Sequence, residues 1–457
     1  MNALLISTYE MGRQPFGLAS PAAWLREAGV RVTCLDLSQQ VLDDKAIFAA
    51  DLIAFYLPMH TATRIASQVI RKVRLLRPSV HLCAYGLYAP MNAEFLRKLG
   101  VSTILGGEFE EGLLNLARRL KQGEPVQASD PAESNISLSR QIFLVPDRAG
   151  LPSLRGYAHL TLPEGTKRTV GYTEASRGCK HKCRHCPIVP VYNGQFRIVQ
   201  RNVVMEDIRR QVAMGAQHIT FGDPDFFNGI RHAMELVEAL HREFPRVTYD
   251  VTIKIEHLLK HAQCLSVLKQ TGCAFITSAV ESVDDHTLDI LDKGHTRADF
   301  IRAVALSREV GLVLVPTFVA FNPWISLDGY EDLLATVAAL DLIENVAPVQ
   351  LAIRLLIPMG SYLLALPEVQ RLVGPFEKSA LSYRWEHSDP RVDVLQREIE
   401  TMVRCATKMG ADRRAIFDQA WACVQRALGT PDKSLPAGVA PSRARATIPY
   451  LNEPWYC

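Results

Sequence analysis

The sequence predicts a two-domain α/β protein: a Rossmann-like parallel sheet, then a partial barrel of six β/α units, then a C-terminal helical region. Three observations carry this prediction. Through the first ~120 residues, short β-rich runs alternate with amphipathic stretches, as in a parallel sheet covered by helices. The alternation breaks in a stretch rich in Pro, Ser, Asp and Gly and then resumes for six repeats in under two hundred residues, too few for a closed eight-unit barrel. Beyond about Pro390 the periodicity is helical only. The expected divisions are 1–125, a linker at 126–166, the barrel at 167–365, an accessory helical region at 366–430 and a flexible Cys-ending tail at 431–457.

In the first division, strands are expected at 3–7, 30–35, 51–56, 81–85 and 102–105, with helices at 21–28, 61–76, 92–99 and 110–120. The strands run into Gly12 and Gly17, Pro58, Gly86 and Gly106-Gly107. Doubly wound sheets bind ligands at such strand ends, which makes Ser7, His60, Thr61, Gly86 and Gly107 candidate ligand contacts. Barrel strands are expected at 169–174, 218–222, 248–253, 274–280, 312–319 and 348–356, with helices at 204–214, 230–243, 256–270, 298–310 and 327–340. Two more helices are expected at 392–408 and 413–427.

Apolar residues make up 48% and charged residues 22%, near the averages for globular proteins, so disordered and fibrous classes are set aside. A net charge of +3 is too small to announce a nucleic-acid partner or a membrane surface. The run from Gly311 to Phe321 falls short of the ~20 residues that span a bilayer. The N-terminus lacks the basic start and apolar run of a secretory signal, so a cytoplasmic location is expected. In a reducing compartment, ten cysteines are metal ligands, catalytic thiols or core residues rather than a disulfide framework.

Cys179, Cys183 and Cys186 follow the first barrel strand in Ser-Arg-Gly-Cys-Lys-His-Lys-Cys-Arg-His-Cys-Pro. That spacing lets one loop hold three irons of a [4Fe-4S] cluster and leaves the fourth open to a ligand. Arg177, Lys180, Lys182 and Arg184 are expected to surround the thiolates and offset the negative charge. A structural zinc site using His181 or His185 is the plainer reading, although no second Cys pair lies nearby. A basic nucleic-acid patch would explain the Lys and Arg residues but not the three Cys.

This Cys-x-x-x-Cys-x-x-Cys loop resembles the signature of the radical S-adenosylmethionine (SAM) superfamily, over roughly 167–364. The resemblance implies that the open iron chelates SAM and that reductive cleavage yields a 5′-deoxyadenosyl radical. It also implies a small-molecule substrate and an electron donor such as flavodoxin or ferredoxin. Phe221-Gly-Asp-Pro-Asp-Phe-Phe-Asn228 stands where the superfamily meets the SAM amino group, so Asp223 and Asp225 are candidates for that ammonium. Both also suit a turn or helix cap. Glu281 and Ser282 resemble the superfamily's Glu-Ser segment, with Glu281 toward the ribose hydroxyls and Ser282 toward the SAM carboxylate. Lys293 and His295, in the later Lys-Gly turn, read as supporting residues. Arg354 lies in an otherwise apolar run and is a candidate for the SAM carboxylate or for an ion pair inside the barrel.

The N-terminal sheet, ending in Leu-Gly-Gly-Glu-Phe-Glu-Glu-Gly112, looks like the cobalamin-binding domain found before many radical SAM barrels. The Asp-x-His-x-x-Gly sequence that ligates cobalt is absent, so cobalamin would bind without that ligand, or the domain is a degenerate docking module. The stretches STYEMGRQPFGLASP, FYLPMHTATR, AYGLYAP, IRLLIPMGS and EPWYC are similar to the CUAEP/CCAEP-tail radical SAM proteins. In that group the tail continues with Cys or selenocysteine and Ala-Glu-Pro, so a selenocysteine codon after Cys457 is expected, with Cys457 as a redox-active thiol. Three functions follow from the resemblance: cobalamin-dependent radical methylation, cobalamin-independent radical transfer or rearrangement using the tail thiol, and non-catalytic metal or selenium handling.

Overall fold

The computed structural model describes residues 1–124, 135–162 and 164–435 and the backbone of 450–451. The first half runs β1 (Asn2–Ser7), α1 (Phe16–Glu27), β2 (Arg31–Asp36), α2 (Asp44–Ala49), β3 (Leu52–Tyr56), α3 (His60–Leu76), β4 (His81–Tyr85), α4 (Tyr88–Met91), α5 (Ala93–Lys98), β5 (Thr103–Gly107) and α6 (Glu110–Gln122). With β6 (Ile136–Ser137) these strands form one parallel sheet in the order β2-β1-β3-β4-β5-β6. Helices cover both faces, so β3 and β5 are buried along their whole length.

Helix α1 starts at Phe16, five residues before the expected Pro21. A proline usually marks the first turn, because it cannot donate to the carbonyl four residues back. Here that carbonyl, on Gly17, accepts a 2.8 Å hydrogen bond from the Tyr85 hydroxyl, which supplies the donor Pro21 lacks. Gly17 itself lies under the Tyr56 ring, and a Cβ there would fall 2.1 Å from Tyr56 Cζ.

The second half runs β7 (His159–Thr161), β8 (Lys167–Thr173), β9 (Ser176–Gly178), α7 (Val189–Tyr192), β10 (Phe196–Ile198), α8 (Arg201–Ala213), β11 (His218–Phe221), α9 (Ile230–Glu243), β12 (Thr248–Thr252), α10 (Ile255–Lys260), α11 (Leu265–Gln270), β13 (Cys273–Glu281), α12 (Asp285–Ile290), α13 (Arg297–Glu309), β14 (Leu314–Phe318) and α14 (Leu327–Ala339). Strands β8, β11, β12, β13 and β14 are parallel neighbours, in that order. The strand expected at 348–356 is reduced to a 3-10 turn at Pro348–Leu351 and one parallel bridge between Phe321 and Arg354. Pro348 offers no N–H to a ladder. The Gln350 side chain takes the place of a strand carbonyl, accepting from the Phe318 N–H at 2.9 Å. The expected 256–270 helix is likewise divided, into α10 and α11, by a turn at Ala262–Cys264.

The C-terminal region has α15 (Pro367–Leu372), an unexpected hairpin of β15 (Val373–Glu377) and β16 (Ser382–Trp385), then α16 (Pro390–Lys408) and α17 (Arg413–Leu428). Val392, Leu395, Ile399, Phe417 and Val424 of the last two helices join the barrel core and close its outer side. The backbone of β17 (Tyr450–Leu451) pairs antiparallel with β7. Cys457, the expected redox thiol, lies outside the described residues.

Candidate radical SAM site

The three cysteines sit in the loop that joins the short antiparallel strands β9 and β10, at the C-terminal end of β8. Gly178 has φ +74°, and a Cβ on it would meet Tyr192 Cδ1 at 2.3 Å and the Gln195 carbonyl at 2.5 Å, so the turn into Cys179 needs glycine. The loop is held from several sides. The Arg184 N–H donates to Leu291 at 2.9 Å and its guanidinium to the Asp289 and Ile290 carbonyls, while Ser361 Oγ donates to the Arg184 carbonyl. Val191 and Tyr192 of α7 insert into the core of the N-terminal domain, so the loop is fixed to both halves of the protein.

Cys179 and Cys183 are buried and Cys186 is partly so. Burial pushes the Cys186 thiol up to about 12 and raises Cys179 as well, so these thiols stay protonated until a metal displaces the proton. The compensating charge differs from expectation. Lys254 Nζ stands 3.7 Å from Cys183 Sγ, and the buried Lys293 acts on both Cys183 and Cys186. The guanidinium of Arg177 points the other way, into the domain junction. It pairs there with Glu174 (2.7 Å), Glu110 (2.7 Å) and Glu108 (3.4 Å), inside a cage of Phe16, Phe109 and Phe143. Sequence reasoning missed Lys254, although a lysine closing a buried barrel strand was the available signal. Three thiols on a pinned loop beside two ammonium groups fit a thiolate-ligated cluster.

The expected SAM contacts surround this loop, several with partners inside the protein. Asp223 accepts from the Ala175 N–H (2.9 Å) and Ser176 Oγ (2.5 Å), tying β11 to β9, and burial raises its carboxyl to about 7. Asp225 accepts from the Phe227 N–H through one oxygen and turns the other toward His181 and His257. Glu281 takes a left-handed φ of +70° beside a register shift at the end of β13. Burial alone would raise its carboxyl, but Lys293 and His185 outweigh burial and hold it at about 2. Ser282 accepts from the Asp284 N–H at 3.1 Å. Arg354 donates to Asp393 (2.6 Å) and the Trp385 carbonyl (2.7 Å) and stacks on the Trp385 ring, so the C-terminal region takes up its charge. Among the described residues, Asn228 Nδ2, Ser278 Oγ and both ring nitrogens of His295 are buried without hydrogen-bond partners of good geometry, as atoms awaiting a polar ligand would be. Ser278, a hydroxyl on a buried strand, is the one among these that sequence reasoning passed over.

At the ligand side of the N-terminal sheet, Ser7 Oγ and His60 Nδ1 are buried without partners among the described residues, while His60 Nε2 lies 2.5 Å from the Ala380 carbonyl. Thr61 follows His60 in the first turn of α3. Gly86 and Gly107 have positive φ and lie against backbone, since Cβ atoms would fall 2.9 Å from the Leu57 carbonyl and 2.2 Å from the Ser137 carbonyl. Tyr56, Tyr85 and Phe109 pack with ring centroids 5.0–6.0 Å apart at this edge. The orphaned Ser7 and His60 atoms fit a polar ligand at the sheet end.

A three-thiol loop at the end of the first strand of an open barrel, behind a doubly wound domain, is similar to the arrangement of radical SAM proteins that carry an N-terminal domain of the cobalamin-binding type. Residues 173–324 match the model of the Radical SAM superfamily. The chain is 24% identical to the hopanoid C-3 methylase of Methylococcus capsulatus, over 68% of this chain and 62% of that protein, and so spans less than two thirds of that relative. Its fold matches the cobalamin-dependent SAM radical enzyme OxsB with aqua-cobalamin bound, at TM-score 0.71 and 14% identity, over 94% of this chain and 74% of OxsB. It also matches the radical SAM methyltransferase TsrM from Kitasatospora setae, at TM-score 0.59 and 17% identity, over 74% of this chain and 71% of TsrM. No helix among the described residues is long and apolar enough to cross a membrane.

Proposed function

We propose that this protein is a cytoplasmic radical SAM enzyme that methylates a small molecule with the help of cobalamin, using electrons from a flavodoxin- or ferredoxin-type donor. The observation that carries the reading is the pinned loop of Cys179, Cys183 and Cys186 with Lys254 and Lys293 beside it. The methylase relative supports the methylation and the OxsB-like fold supports the cobalamin part. When bound, the cluster supplies the electron that breaks a SAM carbon–sulfur bond, and cobalamin supplies a methyl carrier. The chain's own residues do the rest. Lys254 and Lys293 balance the thiolate charge, and Glu281, ionised by its two cationic neighbours, is placed to accept hydroxyl hydrogens. Ser278, Asn228 and His295 offer buried polar atoms, and Ser7 and His60 do the same at the N-terminal sheet.

Anaerobic reconstitution with iron, sulfide and hydroxocobalamin tests the reading. About four irons and about one cobalt per chain are expected, with 5′-deoxyadenosine and methyl-derived label formed from methyl-labelled SAM under reduction. Iron unchanged in the Cys179→Ala/Cys183→Ala/Cys186→Ala variant refutes the cluster assignment. Four irons without cobalt refutes the cobalamin part alone and leaves radical transfer without it.

A further inference from the structure

Between Cys179 and Cys183, the loop brings His181 against residues that follow β11 and β12. His181 Nε2 lies 3.4 Å from Asp225 Oδ2, and His257 Nδ1 of α10 lies 2.6 Å from the same oxygen. These three ligand atoms all fall within 4.8 Å of one another. Asp225 and His257 are buried, and His181 nearly so. Despite this proximity, none of the three atoms has a hydrogen-bond partner of acceptable geometry among the described residues. The two imidazole nitrogens and the carboxylate oxygen thus crowd together without a well-formed hydrogen bond, whereas buried polar atoms ordinarily find partners.

The surroundings orient two of the three groups. The other oxygen of Asp225 is held by the Phe227 N–H at 3.1 Å, which leaves Oδ2 free to ligate. The other nitrogen of His181, Nδ1, lies 3.5 Å from Glu256 Oε2. With its proton on Nδ1, facing that carboxylate, His181 would present an unprotonated Nε2, the arrangement that commonly orients a metal-binding imidazole. Ligands ~2.0–2.1 Å from a tetrahedral ion stand roughly 3.4 Å apart, close to the His181–Asp225 spacing, while the closer His257–Asp225 pair would open slightly.

We infer that His181, Asp225 and His257 form a second metal site that binds one divalent transition ion, zinc by preference, through two imidazole nitrogens and one carboxylate oxygen. Three protein ligands leave a fourth position for water or a small ligand. The ion joins the cluster loop to β11 and α10 independently of the thiols. Two imidazoles with a single carboxylate disfavour Mg²⁺ and Ca²⁺, which take all-oxygen sites.

The test uses the full chain with its cluster reconstituted, so that the thiols are occupied, then incubated with zinc and desalted. Retention of about one zinc per chain is expected, with an X-ray absorption edge showing nitrogen and oxygen neighbours at ~2.0–2.1 Å and no sulfur at ~2.3 Å. His257→Gln is expected to lose the zinc and keep its iron. The Cys179→Ala/Cys183→Ala/Cys186→Ala variant is expected to lose the iron and keep the zinc. No retained zinc in the reconstituted protein overturns the inference and leaves a plain Asp–His contact. So does sulfur in the zinc shell, zinc lost with the three thiols, or zinc undiminished in His257→Gln. These readouts need no SAM cleavage, so their failure is separate from failure of the proposed reaction.

Discussion

The Arg177→Met variant tests how the two domains are held. Arg177 is the cation for Glu108, Glu110 and Glu174, all four groups being buried or nearly so at the junction of α1, β5–α6 and β9. Methionine keeps the volume and the contacts with Phe16, Phe109 and Phe143 but leaves the carboxylates without their partner. Removing one partner of a buried pair costs about 3–5 kcal/mol. Burial already raises Glu108 to about 7, and Glu174 is raised too, so below neutral pH these carboxyls take up protons and soften the loss. Arg177 lowers both carboxyls, so in the variant they rise further and the penalty grows as pH climbs through and beyond neutrality. At ~2–4 °C per kcal/mol for a unit of 150–250 residues, the melting temperature at pH 8 should fall by at least ~6 °C, and by less at pH 6. Thermal denaturation of the reconstituted protein at both pH values measures this, and Arg177→Met/Glu110→Met should recover part of the loss. A variant that melts within about 1 °C of the parent at pH 8 would show that the carboxylates do not depend on Arg177.

Glu108→Gln should flatten the pH dependence of stability. Because the folded carboxyl is raised to about 7, its stabilising effect is fully present below about 4.5 and is lost as pH rises through about 7, a change of up to roughly 3 kcal/mol that glutamine removes. Denaturation midpoints at pH 5 and pH 8 check this. Gly178→Ala adds a left-handed strain of about 1–2 kcal/mol, and its methyl overlaps Tyr192 and Gln195, so iron content after reconstitution should fall while far-UV circular dichroism holds. Tyr85→Phe leaves the Gly17 carbonyl buried without a donor and should cost about 1–3 kcal/mol by chemical denaturation. Lys254→Met removes a positive charge 3.7 Å from Cys183 and should shift the cluster's reduction potential downward, as read by redox titration with electron paramagnetic resonance.

The helix and strand pattern was legible because it rests on short-range periodicity. Strand β4 and helix α9 fall on the residues that alternation and amphipathicity predict. The grouping of Cys179, Cys183 and Cys186 on one loop was legible for a similar reason, since the three residues are close in sequence. Where the pattern failed, a distant residue had replaced a local interaction. Tyr85 lets Pro21 sit inside α1, and Gln350 substitutes for a sixth-strand carbonyl at Phe318.

Partnerships between side chains could not be read in advance. Neighbouring sequence suggested that Arg177 faces the thiols, but only the packed structure shows that Glu108, Glu110 and three rings from other segments, together with nearby Glu174, surround it. The same holds for Arg354 on Asp393 and for His181, Asp225 and His257, each of the three from a different loop or helix. The amino-acid sequence by itself determined the layers, the order of elements and the thiol loop, because these follow from local periodicity and spacing. The tertiary structure alone decided which charge meets which, because a buried ion's partner is set by distances through space that sequence separation does not encode.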